Sequence, residues 1–367
     1  MSSTRSLLHL ILLLLAYYYS THTTANGGNG TTTQCLPDHS SSLLQLKHSF
    51  HNPKLPSWQH GTDCCHWEGV GCDRASGQVI TLDLGDRNLR STSGLSPAIF
   101  NLTSLTNLSL SGNDFGLTSL PGFGFERLIE LLSLDLYNAC FAGQIPIGIA
   151  HLKNLRSLDL SYNNLYLQDP SFQTVIANLS NLRELYLDRV GILSSKANWS
   201  VALADSVPLL QNISLSECEL SSPIHHSFSR LRFLTMINLA YNEISGQVPG
   251  FFAEFSFLRD LALGENYFEG QFPTKIFQLE NLSVLDLSNN FGLTVHLPDF
   301  SSGSNLEYLD LRGSNIFGAI PDPFVHLKSL KFLGLSSIEP PEQPTTSIAN
   351  LTSLNGLWLS GSGVEKP

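Results

Sequence analysis

Residues 231–249 read LRFLTMINLAYNEISGQVP, and this stretch decides the fold. Ile237 and Leu239 are two positions apart, so on an extended segment their side chains point to one side, while Asn238 and Ala240 point to the other. A single short strand cannot bury its apolar side alone, but stacking against equivalent strands buries it. Pro249 prevents the segment from continuing as a central strand. The stretch therefore predicts one coil of a stacked, repetitive structure.

The same pattern recurs twelve times, and the first aliphatic residue of each copy is Leu82, Leu108, Leu134, Leu158, Leu185, Ile213, Ile237, Leu261, Leu285, Leu309, Leu333 and Leu357. The steps between copies are 26, 26, 24, 27 and 28 residues, followed by six steps of 24. This period is that of a leucine-rich repeat. We therefore predict an α/β leucine-rich-repeat solenoid over residues 76–367, a curved right-handed superhelix with a parallel sheet on its concave face.

An asparagine stands five residues after the start of several copies, at Asn113, Asn163, Asn242, Asn266 and Asn290, and Cys218 occupies this position once. Since an unpaired buried amide costs about 1–3 kcal/mol, these amides need backbone partners in the turn and in the neighbouring coil. We expect Cys218 to be a free buried thiol in the same role.

Composition excludes several classes of protein. The chain is 42% hydrophobic and 14% charged, which is unlike a disordered chain, and its net charge of −11 argues against nucleic-acid binding. Residues 1–25 have the features of a cleaved secretory signal peptide, with Arg5, a ten-residue apolar run and small residues before position 26. Residues 26–34 are a short linker. No later apolar run is long enough for a membrane span.

Four of the six cysteines precede the first repeat, within an expected N-terminal cap at residues 35–75. Six cysteines allow 15 pairings. Cys35–Cys64 with Cys65–Cys72 is the preferred pairing, because adjacent Cys64 and Cys65 would form a strained bridge with each other. A zinc site is the alternative, but the spacing of further ligands does not support it. Leucines at helical spacing in residues 43–50 predict an amphipathic helix that covers the end of the solenoid.

These residues carry a family resemblance. Cys35, SLLQLK at 42–47, Trp58 and DCCHWEGVGCD at 63–73 resemble the plant-type cap of leucine-rich-repeat proteins. The G-x-I-P element at Gly143–Pro146, Gly246–Pro249, Gly270–Pro273 and Gly318–Pro321 resembles the plant-specific repeat class, which implies a second short strand in each coil. NACFAGQIP at 138–146 and LRELYLD at 182–188 are similar to membrane-anchored plant receptor-like proteins, notably vascular-wilt resistance receptors.

The resemblance implies an extracellular ligand-recognition domain that senses a pathogen-derived (for example fungal) or an endogenous protein or peptide and signals through co-receptor kinases. The alternative is a secreted inhibitor of a microbial wall-degrading enzyme such as polygalacturonase. That class ends in a cysteine-bearing cap, whereas this sequence stops at Pro367 within the twelfth repeat. The sequence therefore favours an N-terminal piece of a receptor, located at the cell surface or in the extracellular space. A second departure is Asn198-Trp199-Ser200, since relatives often have cysteine after the tryptophan.

Eight N-x-[ST] sequons predict a glycoprotein, at Asn29, Asn101, Asn107, Asn178, Asn198, Asn212, Asn281 and Asn350. Asn107 and Asn212 directly precede the buried aliphatics of their repeats. We therefore expect glycans at these two positions to shield the N-terminal part of the concave face.

Outward residues of the sheet are the candidate ligand contacts. Twelve strands give an arc of about 55 Å, which suits a protein or peptide better than a small substrate. Aspartate recurs at one outward position of the repeats, at Asp83, Asp135, Asp159, Asp286 and Asp310. Aspartate is common at this position of leucine-rich repeats, so these residues are most simply interpreted as solvated acids. The more distinctive candidates are Tyr186, Asp188, Arg189, Glu217, Tyr241, Asp260, Glu265, Tyr308, Arg312 and Trp358. Aromatic and arginine side chains dominate interface energies, which favours Tyr186, Arg189, Tyr241 and Arg312.

The sequence contains no convincing catalytic pattern. His225-His226 lacks a zinc-type helix and a third ligand, and Gly122-Phe123-Gly124 lacks the third glycine of a dinucleotide loop. Nucleophile-elbow, P-loop and kinase patterns are also absent from the sequence. We therefore expect a binding protein without cofactor or metal and without enzymatic activity.

Overall fold

The computed structural model describes residues 34–193, 198–300, 303–317, 326–335, 338–339 and 351–359. The expected signal peptide, the sequons at Asn29 and Asn350 and the G-x-I-P element at Gly318–Pro321 lie outside these residues. Among the described residues, no helix combines the length and hydrophobicity that a bilayer crossing requires.

The helices are short and sit between strands. The α-helices are α1 (Pro37–His48), α2 (Phe172–Ile176) and α3 (Trp199–Ser206). The 3-10 helices are Cys64–His66, Pro97–Asn101, Phe125–Arg127, Ile147–His151, His226–Arg230, Gly250–Glu254 and Thr274–Gln278. Among the described residues, four repeats of 24 residues and both repeats of 26 residues carry a 3-10 helix, whereas the repeats of 27 and 28 residues carry α2 and α3.

The strands in chain order are β1 (Val70–Cys72), β2 (Val79–Asp83), β3 (Asn107–Ser109), β4 (Thr118–Ser119), β5 (Ser133–Asp135), β6 (Phe141–Gln144), β7 (Ser157–Asp159), β8 (Asn164–Leu167), β9 (Glu184–Tyr186), β10 (Gly191–Ile192), β11 (Asn212–Ser214), β12 (Met236–Asn238), β13 (Ser245–Gln247), β14 (Asp260–Ala262), β15 (Tyr267–Gln271), β16 (Val284–Asp286), β17 (Gly292–Val295), β18 (Tyr308–Asp310), β19 (Asn315–Phe317), β20 (Phe332–Leu335), β21 (Ile338–Glu339) and β22 (Gly356–Leu359).

One strand from each repeat joins a 13-stranded sheet in the order β1-β2-β3-β5-β7-β9-β11-β12-β14-β16-β18-β20-β22. β1 pairs with β2 in antiparallel fashion, and all later neighbours are parallel. The twelve aliphatic starts predicted from the sequence lie within these strands and are in register across the sheet. From Leu82 to Leu333 they are at most 1% exposed, while Leu357 is 47% exposed. The predicted solenoid is confirmed.

The ladder of polar residues is also confirmed. The Asn242 amide donates to the backbone oxygens of Leu215, Leu239 and Ala240 at 2.7, 3.0 and 3.2 Å. Its oxygen accepts from the backbone N–H groups of Cys218 and Leu220 in the preceding coil, both at 3.0 Å. Each such residue therefore joins two coils.

Cys218 takes the asparagine's place as a buried free thiol, and its Sγ donates to the Leu187 carbonyl at 3.0 Å. Burial raises the pKa of this thiol well above its usual range. The neutral thiol is therefore the stable form, which suits a hydrogen-bond donor to a carbonyl.

Second strands form two smaller parallel sheets, as the family resemblance implied. Their orders are β10-β8-β6-β4 and β13-β15-β17-β19-β21. Gly143, Gly246 and Gly270 have φ of +91°, +83° and +74° within these strands, a region that favours glycine. The coil that starts at Ile213 contributes no named second strand, and it follows the 28-residue step that contains α3.

The N-terminal cap covers one end of the core. α1 buries Leu43 and Leu46, and the rings of Trp58 and Trp67 stack with centroids 5.4 Å apart. Disulfides join Cys35 to Cys64 and Cys65 to Cys72, each with a Cα–Cα distance of 5.5 Å. The preferred pairing and the amphipathic helix are therefore confirmed.

Candidate ligand-binding surface

The concave sheet presents two columns of side chains that flank the buried aliphatics. The column before them contains Thr81, Asn107, Ser133, Ser157, Glu184, Asn212, Met236, Asp260, Val284, Tyr308, Phe332 and Gly356. The column after them contains Asp83, Ser109, Asp135, Asp159, Tyr186, Ser214, Asn238, Ala262, Asp286, Asp310, Gly334 and Trp358. Candidates Tyr186, Asp260, Tyr308 and Trp358 thus lie in these columns.

Four other candidates share a turn position, four residues after the aliphatic start of each repeat. Arg189, Glu217, Tyr241 and Glu265 have φ between +57° and +66° there. Gly112 and Gly313 occupy the same position in other repeats at +65° and +72°. A non-glycine residue with positive φ is uncommon outside asparagine and aspartate. Bulky side chains are therefore kept where the backbone itself favours glycine.

Repeats three to six each contribute one side chain to a group that we call the arginine–tyrosine cluster: Tyr137, Tyr162, Arg189 and Glu217. The Arg189 guanidinium lies 5.0 Å from the Tyr162 ring centroid, and its Nε is 3.0 Å from Glu217 Oε2. The Tyr137 and Tyr162 rings meet edge to face with centroids 5.4 Å apart. Burial raises the pKa of Tyr137 to about 12, with nearby acidic side chains adding to the shift.

Tyr137 and Tyr162 are not among the ligand contacts predicted from the sequence. Tyr162 occupies the same turn position as Arg189 and Tyr241, with φ +58°, and that offset was the available signal. Tyr137 lies one residue before the turn position, so the sequence gives no comparable signal for it.

Tyr186 and Asp188 are more enclosed than their positions in the repeat suggested. Asp188 Oδ1 accepts from Ser214 Oγ at 2.5 Å and from the Ser216 N–H at 2.8 Å. Burial raises the pKa of this carboxyl despite these bonds. Burial likewise raises the Tyr186 pKa, and the Tyr186 hydroxyl bonds the Asn212 side chain. Both residues thus have a supporting role next to the cluster, and direct ligand contact by either stays a prediction.

A second group, the tryptophan cluster, lies toward the C-terminal end and consists of Tyr308, Asp310, Arg312, Phe332 and Trp358. The Arg312 guanidinium pairs with the Asp310 carboxylate, with Nη2 2.5 Å from Oδ2, and lies 5.1 Å from the Trp358 ring centroid. The Tyr308 and Phe332 rings stack 4.5 Å apart. Asp310 is 0% exposed, so the expectation that it is a solvated surface acid is wrong. Arg312 covers it.

Three carboxyls of the concave columns have raised pKa values. Burial, with a contribution from Asp135 and Asp188, raises the pKa of Asp159 to about 7. Burial raises the pKa of Asp260 and of Asp286 to about 6, and the nearby Asp310 carboxyl adds to the effect at Asp286. These groups would gain most from an approaching cation, because a cation favours their charged form.

The candidate residues therefore do not form one pocket. Five strand spacings separate Leu185 from Leu309, which is about 24 Å along the sheet. Asp260 and Glu265 lie between the two clusters, and Glu265 Oε1 accepts from Asn289 Nδ2 at 2.7 Å. The surface is an extended platform with an aromatic and arginine group toward each end.

The sequons lie on several faces. Asn107 is exposed on β3, and Asn212 is half-buried on β11, where Oδ1 accepts from Thr235 Oγ1 at 2.6 Å. Asn101, Asn178 and Asn281 are exposed. Asn198 accepts from the Val201 N–H at the start of α3. Occupancy by glycans stays a prediction at every sequon.

Metal-type side chains come together at one place among the described residues, the four cap cysteines Cys35, Cys64, Cys65 and Cys72. Both pairs are disulfide-bonded, so they offer no thiolate ligand. The rings of His225 and His226 lie 4.1 Å apart, and His225 Nδ1 accepts from the Ser227 N–H at the start of a 3-10 helix. His225 therefore caps this helix.

Three family models match the sequence. A leucine rich repeat N-terminal domain matches residues 36–73, and leucine rich repeat models match residues 103–165 and 305–327. The matched cap includes α1, the Cys65–Cys72 disulfide and Cys64 of the other bridge, whose partner Cys35 directly precedes the match. The matched repeats include β3, β5 and β7 near one end of the long sheet and β18 toward the other.

The curated relatives include Receptor-like protein 6 of Arabidopsis thaliana, 27% identical over 83% of this chain and 28% of that protein. Another is the Receptor-like protein Cf-9 homolog of Solanum lycopersicum, 31% identical over 76% of this chain and 27% of that protein. The chain thus spans less than a third of the length of these relatives.

Among solved structures, the chain is similar to the leucine-rich-repeat ectodomain of the plant membrane receptor kinase GASSHO1/SCHENGEN3 from Arabidopsis thaliana, solved in complex with CASPARIAN STRIP INTEGRITY FACTOR 2. The TM-score is 0.64 and the identity 27%, and the match covers 87% of this chain and 44% of that chain.

Proposed function

This chain belongs to the plant leucine-rich-repeat proteins and has receptor-like proteins as relatives, and we propose that it is the ligand-recognition region of a plant cell-surface receptor. Its location would be the secretory pathway and then the extracellular face of the cell. In a full-length form it would signal through co-receptor kinases. The resemblance to wilt-resistance receptors supports a fungal protein or peptide as the ligand, in defence signalling.

The observation that carries this proposal is the arginine–tyrosine cluster on an open concave face. Tyr162 contacts both Arg189 and Tyr137 at a surface where the fold requires no such group. Preorganised aromatic and arginine side chains lose little freedom on binding and are typical of interface hot spots. The tryptophan cluster supplies a second such group about 24 Å away along the sheet. An elongated protein or peptide segment could contact both.

The chemistry of the platform favours a ligand with basic side chains. Asp159, Asp260 and Asp286 have pKa values raised to about 7, 6 and 6. A bound lysine or arginine would stabilise their ionised form and release protons near neutral pH. Binding should therefore strengthen as pH rises from 5 to 7.5.

Binding of secreted protein to protein fractions from fungal culture filtrate tests the proposal. Arg189→Glu and Tyr241→Ala should each weaken binding about tenfold or more, without loss of secretion, because hot-spot truncation typically costs over 1 kcal/mol. Arg127→Glu and Tyr267→Ala are matched controls, since both side chains are exposed and lie outside both the concave columns and the turn position. If all four variants bind alike, the ligand site lies elsewhere on the solenoid.

The same material distinguishes a receptor from an inhibitor. Inhibition of fungal polygalacturonase by the secreted protein would favour the enzyme-inhibitor function over receptor function. Glycopeptide mapping tests the shielding at Asn107 and Asn212, and two unmodified asparagines would remove that part of the hypothesis. A glycan at Asn212 would leave Tyr241 and the tryptophan cluster as the main accessible contacts.

A further inference from the structure

The flank position lies four residues before the aliphatic start of each repeat, and in four repeats its side chain joins neighbouring coils. Asn154, Asn181, Asn281 and Asn305 occupy it, and each Nδ2 donates to a backbone oxygen of the preceding coil at 2.8–3.0 Å. Other repeats have Gln78, Ser104, Glu130, Ser329 and Ser353 there. A polar residue at this position is therefore compatible with the fold.

Three consecutive repeats have an apolar residue at the flank position instead. Leu209, Phe233 and Phe257 occupy the flank position and are 39%, 48% and 54% exposed. Coils of the sheet are about 5 Å apart, so the three side chains follow one another along one edge. Contiguous exposed apolar groups lower solubility and, on a native protein, mark interaction sites. Since asparagine serves the fold at this position, packing does not explain these residues.

Exposed cations accompany the three apolar side chains. Arg183, Arg232 and Arg259 are exposed, and none has a carboxylate within 4 Å in the described ranges. Arg189, Arg230 and Arg312, by contrast, are each paired with an acidic side chain. We call Leu209, Phe233, Phe257, Arg183, Arg232 and Arg259 the flank strip. The strip itself has three cationic and no acidic side chains on a chain of net charge −11, and Arg259 also interacts electrostatically with the Asp260 carboxyl that follows it in sequence.

We propose that the flank strip docks a protein partner that presents acidic side chains around an apolar patch. Phenylalanine and arginine are enriched at protein interfaces, and complementary charges would orient the partner. The strip lies outside the two concave columns, so this partner would bind together with a concave-face ligand. A second copy of the chain is disfavoured, because strip against strip would oppose arginine to arginine. The inference therefore goes beyond the proposed function.

Site-specific photo-crosslinking tests the proposal. The full chain carries p-benzoylphenylalanine in place of Phe233 or Phe257 and is mixed with plasma-membrane and extracellular fractions of plant leaf. The control position is Phe123, which is 81% exposed and far in sequence from the strip. We expect protein adducts from positions 233 and 257 but not 123, with the partner's crosslinked peptide rich in acidic and apolar residues. The partner, once purified, should bind the double variant Arg232→Glu/Arg259→Glu at least tenfold more weakly.

Three further variants keep the test independent of folding. Leu209→Asn and Phe257→Asn install the residue that four other repeats use, so they should retain thermal stability while losing partner binding. Phe233→Asn creates an Asn-Leu-Thr sequon with Leu234 and Thr235, and a glycan there should block docking. The proposal would be overturned if no adducts form, or if position 123 gives the same adducts as positions 233 and 257. It would also be overturned if the adducts contain carbohydrate or a second copy of the chain, or if the charge reversal leaves binding unchanged. Concave-face variants such as Tyr241→Ala should leave the adducts unchanged, whether or not the proposed ligand function holds.

Discussion

At the residue scale, the turn that ends each concave strand has a backbone conformation that favours glycine, yet several repeats have a bulky side chain there. Gly313 has φ +72°, and a Cβ there would lie 2.4 Å from Asn289 Oδ1 and 2.8 Å from Asn289 Cα. In other repeats the same position holds Tyr162, Arg189 or Tyr241 at φ between +58° and +66°. These side chains persist despite a conformational cost of about 1 kcal/mol, which supports selection for contact rather than for folding.

Gly313→Ala should lower the free energy of unfolding by about 1–3 kcal/mol, because the new Cβ meets backbone atoms and the positive φ is unfavourable. Gly122→Ala is the matched control, since a Cβ there meets nothing within 4 Å. That substitution should be neutral or slightly stabilising. Chemical denaturation of both variants measures the difference. Equal stability of the two variants would contradict the role given to the turn.

The buried carboxyl of Asp159 gives a pH dependence with a definite sign. Its pKa rises from 3.8 to about 7 on folding, with Asp135 and Asp188 adding to the effect of burial. The unfolded state therefore releases this proton at lower pH, and the stability contribution is complete below pH 4 and is lost as pH rises through 7. Asp159→Asn should match the parent at pH 4 and be more stable at pH 7.5 by at least about 1 kcal/mol. Thermal unfolding at both pH values checks this.

Asp73→Asn should show the opposite dependence of stability on pH. Hydrogen bonds from Ser76 lower the pKa of Asp73 below its usual value. Its contribution is therefore present above that value and is lost as pH falls. The variant should be less stable than the parent at pH 7.5 and equal to it at low pH. A parallel pH profile for the two variants would show that Asp159 is not held protonated.

At the scale of the element, one asparagine serves two coils. Asn242 makes three donor and two acceptor bonds to buried backbone groups. Asn242→Ala should therefore destabilise by about 2–4 kcal/mol, since several buried polar groups lose their partner at once. Asn238→Ala, on the half-buried concave side, loses the bond to Ser214 Oγ and the bond from the Ala240 N–H, and should cost about 1 kcal/mol because these groups remain accessible to water. Similar losses in the two variants would show that the ladder is not the main joint between coils.

At the scale of the whole molecule, the repeat period predicted the architecture, because the sequence pattern within each repeat determines its strand. The aliphatic starts from Leu82 to Leu333 are buried where expected, and both cap disulfides form as the spacing suggested. The site was less accessible to prediction. Asp310 is covered by Arg312, and Asp188 is held by Ser214, a residue 26 positions away. Ser214 belongs to the coil next to that of Asp188, and Arg312, although in the same coil as Asp310, packs against Trp358 two coils further on. A single repeat does not encode these contacts between coils.

The same nearest-neighbour architecture predicts how damage spreads from the cap. The Cys35–Cys64 bridge closes a separation of 29 residues, so its removal in Cys35→Ser/Cys64→Ser should cost about 2–4 kcal/mol. Because each coil contacts only its neighbours, the loss should fall on the adjacent coils first. Hydrogen exchange should show faster exchange in β2 and β3, with little change in β14 and β16. Cys140→Ser, at a free cysteine, is the control and should leave both regions protected. Uniformly faster exchange along the sheet would mean that the chain unfolds as a single unit rather than coil by coil.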